Sequence, residues 1–137
     1  NHWSIRILKL YNFRSKINLI PLHATAPIEN FYNILEKSKK IVSGWGGELY
    51  FVYLPKSNDY LFNDEPLFYQ EVLDAATELN IPTINIHTEV FGPHPDPLSL
   101  FSFKKLAHYN AEGHRLVAEV ISKRLKNDGI IPLKLNN

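Results

Sequence analysis

Gly46-Gly47-Glu48-Leu49-Tyr50-Phe51-Val52-Tyr53-Leu54-Pro55 is the stretch on which the fold turns. Two glycines release the chain, six apolar or aromatic residues follow without a polar interruption, and a proline closes the run. A strand that alternates apolar and polar residues shows one face to water. One that is apolar at every position is covered on both faces, which is the signature of a parallel strand with helices above and below. The run therefore predicts a central parallel strand over Leu49 to Leu54 and an α/β fold.

The flanking segments agree. Upstream, Thr25 and Pro27 form a helix start, and Phe31, Ile34, Leu35, Ser38, Ile41 and Val42 recur at the spacing of one buried helical stripe that stops at Ser43-Gly44. Downstream, Pro55 to Asn63 is polar and turn-prone, and lies past the carboxyl end of the strand, where open α/β sheets place ligand crevices. Asp64 and Pro66 start a second helix with the stripe Phe68, Val72, Ala76 and Leu79, ending at Asn80 before Pro82. Thr83-Ile84-Asn85-Ile86 reads as a second strand. His87 to Lys105 is long, holds Pro93, Pro95 and Pro97, and carries Phe91, Phe101 and Phe103 as aromatics expected to be exposed. The last helix runs from Ala111 to about Lys126, buries Leu116, Val117, Val120, Ile121 and Leu125, and ends at Asp128-Gly129. Ahead of all this, Ser4 to Ile17 fits a basic amphipathic helix loosely, and Asn18 to Ala26 a loop.

Composition narrows the function classes. With 137 residues, 45% of them hydrophobic, the chain has the size of one domain or part of one. Residues 1–27 are a helical lead-in, 28–127 the α/β portion and 128–137 a tail. A net charge of +1 with both signs interspersed gives no reason to expect a nucleic acid partner. Lys37, Lys39 and Lys40 read as a solvated helix face. No apolar run approaches the ~20 residues of a membrane span. The absence of cysteine leaves the compartment unassigned. The chain begins at Asn1 and holds no methionine, so either further polypeptide preceded it or a start residue was removed.

Chemistry concentrates in Ala107-His108-Tyr109-Asn110-Ala111-Glu112-Gly113-His114. His108 lies just before the last helix, Asn110 is placed to cap that helix, and Glu112 suits its first turn. An imidazole held by a rigid element suits a general base; the plainer alternative is a histidine that satisfies a loop carbonyl. His87, His94, His108 and His114 match no metal-ligand spacing, and His114 reads as a first-turn residue that faces solvent or hydrogen bonds to the loop, with help to His108 the lesser alternative. Gly44-Trp45-Gly46-Gly47 precedes a strand and is a turn. Trp45, Tyr50, Phe51 and Tyr53, without interleaved basic residues, read as core and sheet packing. Ser43 reads as a helix stop and Ser57 as a loop serine. Ser99 and Ser102 flank aromatics and read as loop packing.

The order strand, helix, strand, Pro-rich loop, His-Tyr-Asn-x-x-Gly-His and a helix with Leu-Val-Ala, over roughly Gly46 to Lys126, resembles the C-terminal half of the SGNH (GDSL-like) hydrolase family. The resemblance implies the C-terminal, incomplete portion of a three-layer α/β/α flavodoxin-like domain. It implies hydrolysis or transfer of an ester-linked acyl group from a small ester substrate by a serine, without metal or organic cofactor. His108 would be the base, and the nucleophile and oxyanion donors would come from polypeptide upstream of Asn1. Three residues before His108, where the family places an aspartate, stands Lys105, a cation that cannot accept the second ring proton. Asp96, in His94-Pro95-Asp96-Pro97, is the nearest acid that could orient the ring; the plainer reading makes it a turn former between two prolines. From a different class comes a non-catalytic α/β interaction module, expected to form a homodimer through an exposed sheet edge.

Overall fold

The computed structural model of the protein describes residues 25–62, 66–104 and 108–132. The expected helix over Ser4 to Ile17, most of the loop that follows it, Lys105 and the end of the tail lie outside the described residues. The first helix, α1, spans Thr25–Gly44. It is followed by strand β1 (Phe51–Tyr53), the short helix α2 (Ser57–Leu61), helix α3 (Tyr69–Glu78) and strand β2 (Thr83–Asn85). A π-helical turn (His87–Phe91) and two 3-10 turns (Pro97–Leu100 and Ser102–Lys104) lead to helix α4 (Ala111–Asn127).

β1 and β2 pair in parallel, with Phe51, Val52 and Tyr53 opposite Thr83, Ile84 and Asn85. The class is therefore α/β, built on a two-stranded parallel sheet. Side chains alternate across it. Tyr50, Val52 and Ile84 belong to one cluster with Val117, Leu116, Val120 and Ile121 of α4. On the opposite face Phe51 meets Phe31 of α1 edge-on at 5.6 Å, and Tyr53 meets Tyr69 of α3 at 4.8 Å. Both faces of β1 are covered, as its composition predicts. Unlike the central strand expected from the run, however, β1 has, among the described residues, a sheet neighbour on one side only, its three residues are half-buried and Leu54 is exposed.

Further expectations change. Phe91 and Phe101 are fully buried, and of the three loop aromatics only Phe103 stands in solvent, 90% exposed. Pro97 opens the 3-10 turn at Pro97–Leu100, and Pro93 follows the π-helical turn, so this stretch is wound into turns and the aromatics fold inward. Phe91 lies 5.2 Å from Phe101 and 5.0 Å from Tyr109, ring centre to ring centre, while Tyr60 stacks on it at 5.6 Å. Each such pair contributes ~0.5 to 1.5 kcal/mol beyond its area. On α1 the expected buried stripe is half right: Phe31, Leu35, Ser38 and Val42 are partly covered, but Ile34 and Ile41 are exposed, and Trp45, expected as core packing, stands in solvent just past the helix. Lys39 leaves the solvated lysine face, its ammonium donating to the Leu79 carbonyl at 2.6 Å at the end of α3. That end is legible in Asn80, whose φ of 50° is the left-handed conformation asparagine tolerates after a helix. Its start is not: Phe68 is the cap, not the first residue of the stripe, and burial centres on Ala75 and Ala76.

Candidate active site

The start of α4 follows from three polar atoms of one residue. The Asn110 side-chain oxygen accepts from the Gly113 N–H at 3.0 Å, as its position predicts. Its side-chain amide donates to the Ser99 carbonyl at 2.7 Å, and its own N–H donates to the Leu100 carbonyl at 2.9 Å. The helix entry is thus tied to the 3-10 turn at Pro97–Leu100. Gly113 makes this approach feasible, because a Cβ there would sit 2.5 Å from the Leu100 oxygen.

His108 is two residues ahead of that cap. Its backbone carbonyl accepts from the Ser102 N–H at 3.0 Å, beside the antiparallel bridge between Phe101 and Tyr109. The imidazole is exposed at an open cleft of about 560 Å³, lined by Leu54, Pro55, Lys56, Ser57, Phe101, His108, Tyr109 and His114. The cleft lies past the carboxyl end of β1, where the topology predicts a crevice. Tyr109 joins its two walls: the phenol donates to the Pro55 carbonyl at 2.6 Å. Burial, followed by the nearby Asp59 carboxylate, raises the Tyr109 phenol above its ordinary pKa, so it remains a donor at neutral pH.

Ser57 was expected to be a loop serine, yet it is the first residue of α2, buried at 5% exposure, and it lines the same cleft as His108. No glycine or periodic signal precedes so short a helix; what holds it is Asp59, whose carboxylate accepts from the Lys56 N–H at 2.8 Å. His114 faces solvent, as expected, and meets the Tyr109 ring edge-on at 5.7 Å. Tyr60, on α2, shares a 2.7 Å hydrogen bond with His87 Nδ1 and so ties α2 to the end of β2.

Asp96 is placed differently from a ring-orienting acid. Its carboxylate forms an ion pair with Lys104, and among the described residues no hydrogen bond joins it to His108. The Lys104 hydrogen bond, ahead of weaker contributions, holds the Asp96 carboxyl below the usual aspartate range. Ser99 donates its hydroxyl to the Asp96 carbonyl at 2.6 Å, while Ser43 is exposed at the end of α1. Among the described residues, no group of three or more histidine, aspartate and glutamate side chains is arranged to hold a metal ion, and no helix is long and apolar enough to cross a membrane. Compared with protein-family models, curated proteins and solved structures, the chain matches none.

Proposed function

We propose that this chain carries the acid–base part of a serine-dependent site for hydrolysis or transfer of an ester-linked acyl group, in an SGNH (GDSL-like) domain of three-layer α/β/α flavodoxin-like type. The observation that carries the reading is an exposed imidazole, His108, at the mouth of a cleft beyond the carboxyl end of a parallel strand, held by a capped helix. In this reading His108 takes the proton of a serine hydroxyl as its oxygen attacks the ester carbonyl. It then gives that proton to the departing alkoxide, and repeats the exchange with water or an acceptor alcohol. The serine and the oxyanion donors are supplied by polypeptide upstream, and Asp96 supports the base. The cleft accommodates a small ester, and the chemistry requires no cofactor. Turnover of short-chain aryl esters by the longer native chain, which supplies the serine, with and without His108→Ala, tests the reading. A loss of ~100-fold or more is expected on removal of a general base; equal rates in both proteins dismiss it.

A second reading is favoured by a separate observation. Phe51 donates to Pro82 at 2.9 Å, so by parallel alternation the Val52 N–H and carbonyl point away from β2. The outer edge of β2 is partly covered, with Arg124 donating to the Thr83 carbonyl at 3.3 Å and Thr88 to the Asn85 carbonyl at 3.1 Å. The edge of β1 away from β2, unpaired among the described residues, together with the exposed Ile34 and Ile41 on α1 and Trp45 just past it, supports an interaction module that self-associates. Absence of ester turnover in the wild-type protein, with a dimer in solution, favours this reading.

A further inference from the structure

Between the bridged residues Phe101 and Tyr109 the chain reverses, and just after Ser102 it takes an unusual path. Phe103 (φ 59°, ψ 16°) and Lys104 (φ 50°) are both left-handed, although neither is glycine. A side chain with a Cβ adopts this conformation at a cost, and Phe103 recovers none of it by packing, since it is almost wholly in solvent. Other contacts must therefore hold the turn. Lys104 is anchored by its ion pair to Asp96. Asp96 is itself fixed along its backbone: its N–H donates to His94 Nδ1 at 3.1 Å, and its carbonyl accepts from the Ser99 N–H at 3.0 Å as well as from the Ser99 hydroxyl. The Ser99 carbonyl accepts from Asn110, two residues past His108, while Ser102 holds the His108 carbonyl. The contacts close a ring that runs from Asp96 through Lys104, Ser102, His108, Asn110 and Ser99 back to Asp96.

We propose that Asp96 is a positioning residue for His108 that acts through Lys104 and the turn following Ser102, not on the imidazole ring. An exposed ion pair is ordinarily a weak contributor to stability. This one closes a ring of short-range contacts around a strained turn, so its loss is read in where His108 stands more than in whether the protein folds. The Pro95-Asp96-Pro97 setting limits the backbone freedom of the anchor, which makes Asp96 a fixed post for a long lysine. The inference rests on His108 being the base of the proposed reaction.

Asp96→Asn and Lys104→Gln each remove the pair from one side, and Asp96→Lys with Lys104→Asp restores it with the charges exchanged. The imidazole carbon-bound proton resonances of His108 and His114 report position without requiring turnover, and kcat and KM on an aryl ester report its consequence. Both single variants are expected to shift or broaden the His108 resonance, leave His114 in place, and lower kcat about tenfold with KM within about twofold, as misplacement of a catalytic group does. The exchanged pair is expected to recover both. A His108 resonance at its wild-type position in both single variants overturns the proposal. So does equal displacement of both imidazoles in all three variants, which marks general loosening. A displaced His108 in both single variants of a protein that hydrolyses no ester even as wild type removes the hydrolase reading and leaves the positioning; loss of turnover in His108→Ala with normal Asp96→Asn and Lys104→Gln does the reverse.

Discussion

Gly113 offers the sharpest test at the scale of single residues. A methyl group there would press on the Leu100 carbonyl oxygen at 2.5 Å and on the Tyr109 Cβ at 3.1 Å. That carbonyl accepts from Asn110, so relief of the clash displaces the cap that follows His108. Gly113→Ala is expected to destabilise the protein by ~1 to 3 kcal/mol, the range for forced overpacking, read as a fall in the denaturant midpoint without a change in slope. Phe91→Ala, which empties the centre of the aromatic cluster, should cost ~3 to 5 kcal/mol, against less than ~0.5 kcal/mol for the solvent-exposed Phe103→Ala. Asn110 was legible as a cap because capping is local chemistry. The buried Phe91 and Phe101 were not, because three prolines nearby signal a loop and only the tertiary contacts show that the loop is wound into turns. The Asp96–Lys104 pair left no mark either, since it joins two positions through a turn whose left-handed residues are not glycine.

Among the elements, α4 is tied at its far end as well as its start. Asp128, just past the helix, accepts from Arg124 at 2.7 Å and from the Tyr50 phenol at 2.8 Å. The Arg124 hydrogen bond, then that of Tyr50, holds the Asp128 carboxyl below the usual aspartate range. Loss of hydration, then the Asp128 bond, pushes the Tyr50 phenol up to about 12, so it remains a donor at neutral pH. A carboxyl depressed in the folded state contributes stability that is fully present above its unfolded pKa of ~3.9 and is lost as pH falls through its folded value. Asp96 and Glu112, depressed by Lys104 and Arg115, act in the same sense. Acidification from neutrality to pH ~5 should therefore leave the protection factors of the amides at the end of α4, their exchange rates relative to an unstructured chain at the same pH, unchanged, and protection should fall below pH ~4. Constant protection to pH ~2 would mean the clasp is not formed in solution. The helix ends were readable from Gly44, Asn80 and Asp128-Gly129 because stop signals are local. α2 was not, since five residues are too few to show a period and its start depends on Asp59 reaching back to the Lys56 N–H.

For the whole molecule, the apolar run at Leu49 to Leu54 correctly foretold a parallel strand covered on both faces, but composition carries no information on how many strands lie beside it. That depends on pairing at a distance in sequence. The same limit applies to α1: the spacing of Ile34 and Ile41 shows that they share a face, not that anything covers it. With Trp45, just past the helix, they stand as exposed apolar side chains among the described residues. Sedimentation of the 15.8 kDa chain is expected to show concentration-dependent association, and Ile41→Lys should weaken it. A monomer at all concentrations would show that this surface is satisfied within the protein.

Labelling of a serine by a fluorophosphonate tests the central claim most directly, because the reagent needs an activated hydroxyl but no substrate recognition beyond the cleft. With His108 as the base, the longer native chain that carries the upstream serine should be labelled at that one serine, and His108→Ala should slow that labelling by ~100-fold or more. Labelling at the same rate in both proteins, or at no serine in either, would contradict the account.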